Sequence, residues 1–270
     1  MKLALGTAQF GLDYGLNNTS GKLSKSEIKS ILNFAQTSGI DTIDTAVAYG
    51  NSENILGDLG VSKWNVVTKI PKYDIEPTNM REWISKCVDN SIKKLNINNL
   101  YGLLLHDPSI LLKSNGQYLA QILMGLKSSG KVKKIGFTIY SPEILSSILS
   151  VLRPDIVQVP FNILDQRILK SGWLSSLASE GIKIYARSVF LQGLLLCESA
   201  KLPKKFKRFK KTWEKYEKEL KKNNQTMLQA CLGHVLFNKY LDKIVIGFKS
   251  LKQLKEIDKI KLVRKNFFFP

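Results

Sequence analysis

Four polar side chains stand at or just beyond the ends of short apolar runs. Asp44 ends Thr-Ile-Asp, Lys69 ends Val-Val-Thr-Lys, and His106 ends Leu-Leu-Leu-His, while Tyr49 follows Asp44 by five residues. Each alone has an ordinary explanation: a strand terminator, a solvated strand end, a hydrogen-bonded core histidine or a loop aromatic. Together they form a set that could move a proton beside a polarised oxygen atom.

The chemistry of this set follows from its residue types. A tyrosine hydroxyl has an ordinary pKa near 10, so it is a weak acid at neutral pH. An ammonium at Lys69 would lower that pKa, and Asp44 on the neighbouring strand would keep a buried Lys69 charged. A neutral His106 imidazole could hydrogen-bond a carbonyl oxygen and orient it between Tyr49 and a hydride donor. The set therefore fits carbonyl reduction.

Short apolar runs alternate with longer amphipathic segments, which predicts strand-helix units and a parallel sheet. Eight units without a long linker favour a closed (β/α)8 TIM barrel, one domain over 1–270, whose strand ends face the active site. The predicted strands are Leu3–Gly6, Thr42–Asp44, Trp64–Lys69, Leu100–His106, Lys134–Thr138, Ile156–Val159, Lys183–Ala186 and Lys243–Ile246. The predicted helices are Ser24–Thr37, Thr78–Lys94, Gly116–Ser129, Ser141–Leu152, Leu169–Glu180, Gln225–Phe237 and Ser250–Ile260.

The segment 201–224 interrupts this rhythm after the seventh strand. Ten Lys, one Arg and three Glu give it +8 of the formal net charge of +19. We expect a helix that starts at Pro203 and packs an apolar face on the barrel. The basic residues in the rest of the chain are dispersed, which is typical of a solvated surface. A membrane-surface or nucleic-acid helix is the alternative. The apolar face consists of Phe206, Phe209, Trp213, Tyr216 and Leu220.

Several classes of protein are not expected. No apolar stretch reaches the roughly 20 residues that span a bilayer, and no cleavable leader is seen, which predicts a soluble cytoplasmic protein without stable membrane association. Cys87, Cys197 and Cys231 are far apart, and His106 and His234 are the only histidines, so neither disulfides nor a zinc site is predicted. No Gly-x-Gly-x-x-Gly follows the first strand, so a Rossmann fold is not predicted either.

One longer pattern has a known counterpart. The stretch Gly-Ile-Asp-Thr-Ile-Asp-Thr-Ala-x-x-Tyr-Gly-Asn-Ser-Glu at 39–53 resembles the signature of the aldo-keto reductases. Thr68-Lys69 and Leu105–Asp107 fit the family's next two blocks, as do Leu5–Gly11 and Gly136–Pro142, so the resemblance covers almost the whole chain. It implies a barrel that binds a nicotinamide dinucleotide in extended form. In this family pattern Tyr49 is the proton donor, Lys69 and Asp44 adjust its pKa, and His106 orients the carbonyl oxygen.

The resemblance also implies the cofactor site. The family's Ser-Asn pair reads Thr138-Ile139 here, its Gln is Gln158, and Arg187 stands where an aromatic residue usually stacks on the nicotinamide. Ile246–Ser250 resembles the adenosine-phosphate site, where a helix start plus Lys249 suits a 2′-phosphate and favours NADPH over NADH. The implied cofactor-binding residues are Gly6, Thr7, Thr138, Gln158, Arg187, Gly247, Lys249 and Ser250.

We therefore expect an NADPH-dependent reductase of a small-molecule aldehyde or ketone that does not bind nucleic acid. An end at Asn266–Pro270 leaves little room for long loops, so the pocket is open or built partly by 189–224, and by analogy a sugar-type substrate fits. Two alternatives remain: a Schiff-base aldolase-like barrel using Lys69, or a regulatory subunit that binds cofactor and uses the basic helix as its contact. Substrate identity, direction and oligomeric state are not determined.

Overall fold

Parallel strands form the centre of the molecule. A computed structural model describes residues 1–16, 21–72 and 79–260, and in these residues eight strands pair in chain order, with the last returning to the first to close a barrel. The predicted TIM barrel is confirmed, and each predicted strand lies within two residues of its observed bounds. The strands are β1 Leu3–Gly6, β2 Thr42–Asp44, β3 Asn65–Ile70, β4 Leu100–Leu105, β5 Val132–Thr138, β6 Ile156–Pro160, β7 Lys183–Arg187 and β8 Lys243–Gly247.

Helices surround the barrel and bury their apolar faces against it in one large hydrophobic core. The α-helices are α1 Ala8–Gly11, α2 Lys25–Thr37, α3 Ser52–Leu59, α4 Met80–Leu95, α5 Gly116–Ser128, α6 Leu145–Leu149, α7 Arg167–Lys170, α8 Trp173–Ser179, α9 Lys210–Lys222, α10 Met227–Leu236 and α11 Leu251–Lys259. Short 3-10 helices occupy Pro108–Leu112, Pro142–Ile144, Leu191–Leu196, Ser199–Lys201 and Lys204–Phe209. The predicted capping box at Ser24 and Glu27 starts α2.

Side-chain alternation along the strands builds the site. A separate buried cluster comprises Val67, Leu104, Ile156 and Tyr185, one residue each from β3, β4, β6 and β7. Residues two positions further along a strand share its face. In the same order these are Lys69, His106, Gln158 and Arg187. The four polar side chains therefore lie on the same faces as the apolar cluster, one step nearer the carboxyl end of the barrel.

Two predicted helices differ from the observed ones. The helix expected over 169–180 is two pieces, because Gly172 takes a φ of 82° between α7 and α8. The helix expected over 141–152 begins as a 3-10 turn at Pro142 before α6. The predicted start at Thr78 and the chain end Asn266–Pro270 lie outside the described residues.

The basic segment packs on the barrel as expected, with one correction. Trp213, Tyr216 and Leu220 of α9 are buried in a second cluster with Leu194 and Cys231. Pro203 does not start a continuous helix; a 3-10 segment precedes α9, and its change in helical pitch leaves Phe209 40% exposed and only partly buries Phe206. Of the five residues predicted to form the apolar face, three are therefore fully buried.

Membrane-spanning helices, disulfides and metal-ligating clusters can be examined only in the described residues. No helix among the described residues is long and apolar enough to cross a bilayer. Cys87, Cys197 and Cys231 form no disulfide, and no group of metal-ligating side chains occurs over 1–16, 21–72 and 79–260.

Candidate active site

A cleft of roughly 1060 Å³ opens at the carboxyl ends of the strands. It brings together the predicted catalytic residues Asp44, Tyr49, Lys69 and His106. Seven of the eight predicted cofactor-binding residues also line it: Gly6, Thr7, Thr138, Gln158, Arg187, Gly247 and Lys249. Ser250 does not line the cleft; its hydroxyl instead accepts a hydrogen bond from the backbone N–H of Gln253 and caps α11.

The floor of the cleft holds a buried ion pair. Lys69 Nζ lies 2.7 Å from Asp44 Oδ1 and also donates to the carbonyl oxygen of Thr45 at 2.9 Å. The two side chains are 1% and 4% exposed. Burial lowers the pKa of Lys69, and the Asp44 charge opposes that shift. The predicted counter-charge is therefore in contact.

Further hydrogen bonds fix the Asp44 carboxylate. Gln158 Nε2 donates to its second oxygen, Oδ2, at 2.7 Å. The Thr7 hydroxyl donates to the Asp44 backbone oxygen at 3.1 Å and accepts from Ser52 Oγ at 3.0 Å. Both residues were expected to hold cofactor; here Gln158 positions the Asp44 carboxylate and Thr7 holds the Asp44 backbone.

Tyr49 sits above this pair in the loop between β2 and α3. Its backbone N–H donates to the Ala46 oxygen at 2.9 Å, and its own oxygen accepts from the Ser52 N–H at 3.1 Å. Any side chain at Gly11 would collide with the Tyr49 carbonyl oxygen, so α1 packs closely against this loop only because residue 11 is glycine. Lys69 Nζ lies 5.4 Å from the centre of the Tyr49 ring.

The electrostatics of Tyr49 differ from the sequence expectation. Burial raises the pKa of its hydroxyl, and the nearby Asp44 charge raises it further. The expected net lowering was wrong, because burial of the phenol and the Asp44 charge outweigh the effect of the Lys69 ammonium, which is itself paired with Asp44. Tyr49 is therefore a fully protonated hydroxyl at neutral pH.

His106 faces Tyr49 across the cleft. The two ring centroids are 6.4 Å apart and the planes are nearly perpendicular, at 83°. Burial lowers the pKa of His106, and the positive charges of Lys69 and Arg187 lower it further. The lowered pKa favours the neutral imidazole at pH 7, which can donate one hydrogen bond.

Arg187 forms the side of the cleft at the end of β7. Its Nε donates to Thr138 Oγ1 at 3.0 Å, Nη2 to the Ile139 oxygen at 3.0 Å, and Nη1 to Ser188 Oγ at 3.1 Å. Its guanidinium carbon lies 4.4 Å from the centre of the Tyr140 ring. The two departures from the family pattern, Ile139 and Arg187, are therefore in direct contact.

Glycines line the cleft where β1 and β8 end. Gly6 and Gly247 are paired on neighbouring strands, and a Cβ at Gly247 would collide with the Gln9 side-chain amide. The buried Gln9 Oε1 has no hydrogen-bond partner among the described residues. Lys249 lies beside Gly15, and burial lowers the pKa of its ammonium.

The loop after β7 crosses this end with a strained backbone. Ser188, Leu191 and Gln192 adopt positive φ values of 58°, 45° and 59°. Such a conformation costs about 1–3 kcal/mol for a non-glycine residue and concentrates at functional sites. The Gln192 oxygen accepts from the Leu16 N–H at 3.1 Å, so two loops meet over the cleft. Residues from 189–224 build part of the wall, as expected.

Sequence reasoning missed Gln9, Tyr14 and Tyr140, which also line the cleft. All three lie in segments that follow β1 and β5. The rule that residues after barrel strands form the active face could have found them. None of the three stands directly at the end of an apolar run, and the family resemblance did not assign them a role.

Known proteins share this architecture. An aldo-keto reductase from Bacillus halodurans, solved in its holo form, superposes with a TM-score of 0.78 at 16% identity, over 97% of this chain and 88% of that one. At this identity the likeness establishes the fold.

Sequence comparison extends the likeness. The chain is 24% identical over 268 residues to L-galactose dehydrogenase of Arabidopsis thaliana, covering 89% of this chain and 80% of that protein. It is 30% identical over 169 residues to an aldo-keto reductase of Gibberella moniliformis, covering 58% and 49%. The model of the aldo/keto reductase family matches residues 2–263. With that match and the barrel described above, the chain belongs to the aldo/keto reductase family of oxidoreductases.

Proposed function

We propose that this protein reduces an aldehyde or ketone to an alcohol with NADPH, and that Tyr49 donates the proton. The family as a whole carries out NAD(P)H-dependent carbonyl reduction. The observation that carries the proposal is the buried Lys69–Asp44 pair beneath Tyr49, with neutral His106 edge-on to the same ring. These groups surround one point in the cleft where a carbonyl oxygen would be polarised and protonated.

The residues present fit a nicotinamide dinucleotide. The cleft of roughly 1060 Å³ exceeds what a small carbonyl compound fills. Gly6 and Gly247 leave backbone open to the cleft, and the unpartnered buried Gln9 Oε1 is an acceptor next to them. Thr138 and Gln158 would contact the nicotinamide half, Gln9 lies nearer the other end beside Gly247, and Lys249 would bind phosphate of the adenosine half. The chemistry that a reduced nicotinamide would supply in this site is a hydride for the carbonyl carbon, with oxidation of the ring.

The chain's own groups handle the proton. His106 donates a hydrogen bond to the carbonyl oxygen and orients it toward Tyr49. As negative charge develops on that oxygen, the Tyr49 hydroxyl gives up its proton, and the alcohol forms. The resulting phenolate is stabilised by the Lys69 ammonium, whose distance of 5.4 Å to the ring centre suits this state. Asp44 keeps Lys69 protonated, and solvent restores the proton to Tyr49.

The pKa of Tyr49 predicts the pH dependence of reduction. The donor acts while protonated, and burial raises its pKa above the ordinary 10.0. We therefore expect kcat/KM for reduction to show no loss between pH 7 and 10 from this group, and to fall only above pH 10. The measurement is a pH profile of kcat/KM, with unfolding followed over the same range as a control. A fall centred near neutral pH would show that the Lys69 ammonium outweighs burial.

Lys249 should discriminate between the two coenzymes. NADPH carries a phosphate at the adenosine 2′-position and NADH a neutral hydroxyl, so a charge-assisted bond from Lys249 is available to NADPH alone. At a partly exposed helix start we expect Lys249→Ala to weaken NADPH binding about ten-fold and NADH binding by less than about two-fold. Fluorescence titration measures both dissociation constants, and the NADPH loss should shrink at high salt.

Lys259→Ala, at the other end of α11, is the matched control and should change neither constant. Equal weakening of both dinucleotides by Lys249→Ala, or a wild type that binds NADH as tightly as NADPH, would remove Lys249 as the discriminator. Lys252 and Lys255 of the same helix would then be the next candidates.

The substrate we propose is of sugar type. Tyr14 and Tyr140 line the cleft and are 37% and 64% exposed. Their rings could pack against the carbon chain of a polyhydroxylated substrate, and their hydroxyls could hydrogen-bond its hydroxyl groups. The relative named L-galactose dehydrogenase supports the same class. A panel of sugars, aliphatic aldehydes and ketones, followed by the loss of NADPH absorbance, tests this. Reduction of simple aldehydes with no turnover of any sugar would contradict the sugar proposal alone.

The aldolase-like alternative is not supported. Lys69 Nζ is engaged by Asp44 and Thr45 and is closed off from solvent, which leaves no approach for a substrate carbonyl. Trapping with borohydride should give no covalent adduct at Lys69. The regulatory-subunit alternative is disfavoured because Asp44, Tyr49, Lys69 and His106 all stand in one contiguous site.

A further inference from the structure

One cation in the cleft has no carboxylate partner. The Arg187 guanidinium donates three hydrogen bonds, all to neutral acceptors, and within residues 1–16, 21–72 and 79–260 it forms no ion pair. It is half-buried and lines the same cleft as Tyr49 and His106. A charge held out of bulk water usually has a counter-charge, because desolvation is costly without one.

Nearby carboxylates are already engaged. Asp44 is bound by Lys69 Nζ and Gln158 Nε2. Asp165 forms a two-point pair with Arg167, at 2.9 Å to Nε and 2.8 Å to Nη2. Burial opposes ionisation of Asp165, but these Arg167 contacts hold its pKa below the ordinary value. Arg187 also contributes to lowering the pKa of Asp165, but among the described residues neither carboxylate forms an ion pair with Arg187.

The field of Arg187 reaches the reacting groups. Burial is the main cause of the lowered pKa of His106, and Arg187 adds to it; burial raises the pKa of Tyr49, and Arg187 opposes that rise. A ligand bound where it touches Tyr49 and His106 is therefore within range of a positive charge that forms no ion pair with any described carboxylate.

We propose that Arg187 binds a carboxylate of the substrate, so that the preferred substrate is a carbonyl compound that is also an acid, sugar acids included. This assignment rests on the proposed reductase function and narrows its substrate class. Of the five guanidinium N–H groups, three are used, and one remains on each of Nη1 and Nη2. Two N–H groups on a planar fork match the two oxygens of a carboxylate.

Contacts hold the guanidinium in place for this role. Thr138 and Ile139 fix it from β5, and the Tyr140 ring lies 4.4 Å from its carbon atom. Because the fork is already oriented, little side-chain entropy is lost when an acid binds. Lysine at this position would keep the charge but lose both the fork and the Thr138 contact.

The test compares each acid with its own neutral ester. Wild-type protein with NADPH is assayed on 3- and 4-carboxybenzaldehyde and on aliphatic oxo acids of increasing chain length, each paired with its methyl ester. We expect at least one acid to exceed its ester in kcat/KM by about ten-fold or more. Arg187→Gln should bring that ratio close to one, and Arg187→Lys should give an intermediate ratio. The ratio is taken within one variant, so a change in coenzyme binding cancels.

Three outcomes would overturn the assignment. They are an acid-to-ester ratio near one for every pair in an active wild type, a preference that survives Arg187→Gln, and a preference for phosphate-bearing aldehydes over all the acids. If wild-type protein reduces no carbonyl compound, the proposed reductase function fails instead. In that case the inference is tested by calorimetric titration with hydroxy acids. These acids should bind the wild type and not Arg187→Gln. Equal binding by the two proteins would refute the inference.

Discussion

Replacement of Tyr49 by Phe is expected to lower kcat for carbonyl reduction by about 10²–10⁴-fold, the usual contribution of a positioned general acid. The change removes one oxygen atom and leaves the ring, its loop contacts and the cleft intact. NADPH binding should therefore stay within about two-fold of wild type, since only an interaction with the reacting oxygen is lost. Steady-state kinetics and fluorescence titration on the same preparation measure the two quantities.

Tyr14→Phe is the matched control, because Tyr14 lines the same cleft from the loop after α1. It should retain kcat within about ten-fold of wild type, since its hydroxyl has no role in proton transfer. A Tyr49→Phe variant that keeps most of its kcat, or one that loses NADPH binding in proportion to its rate, would remove Tyr49 as the proton donor.

Replacement of Asp44 by Asn should have the largest effect on stability. It leaves the Lys69 ammonium almost fully buried with only the Thr45 oxygen as a strong acceptor. Breaking a buried pair from one side costs about 3–5 kcal/mol of unfolding free energy. Reduction should fall as well, because Lys69 loses its proton more easily and no longer stabilises the Tyr49 phenolate. Urea unfolding and steady-state kinetics measure the two effects.

Asp58→Asn provides the comparison. Asp58 pairs with Lys25 at 2.8 Å on the surface, and both side chains are more than half exposed. Its loss should cost at most about 1 kcal/mol. In the double variant Asp44→Asn with Lys69→Met, part of the stability should return while reduction stays low, because no unpaired charge remains. A destabilisation by Asp44→Asn no larger than that by Asp58→Asn would contradict this description of the pair.

The sequence predicted the barrel well because strand ends in this fold coincide with changes in residue type. Asp44 ends β2, and Lys69 and His106 lie within one residue of the ends of β3 and β4. The carboxyl ends of parallel strands meet at one face of a barrel, so the assembly of these side chains followed from topology alone. The break at Gly172 and the 3-10 start at Pro142 were missed because the apolar periodicity alone does not distinguish them from a continuous α-helix.

The properties of the site that depend on burial could not be read from the sequence. The order of residues places Lys69 near Tyr49, but desolvation decides the direction in which the pKa of Tyr49 moves. Gln158 was recognised as a site residue, yet its bond to Asp44 depends on the stagger between β2 and β6 across the barrel. Arg187 was recognised as a departure, and only the structure shows that its charge meets neutral acceptors.

Transfer of label tests the central claim most directly. NADPH carrying deuterium at both C4 positions of the nicotinamide is incubated with the protein and the best substrate of the carbonyl panel, and the alcohol is analysed by mass spectrometry and NMR. We predict one deuterium per alcohol, on the carbon that bore the carbonyl oxygen, with formation of this product strongly reduced in Tyr49→Phe. An alcohol without deuterium at that carbon, or label transfer at an undiminished rate in Tyr49→Phe, would contradict the account.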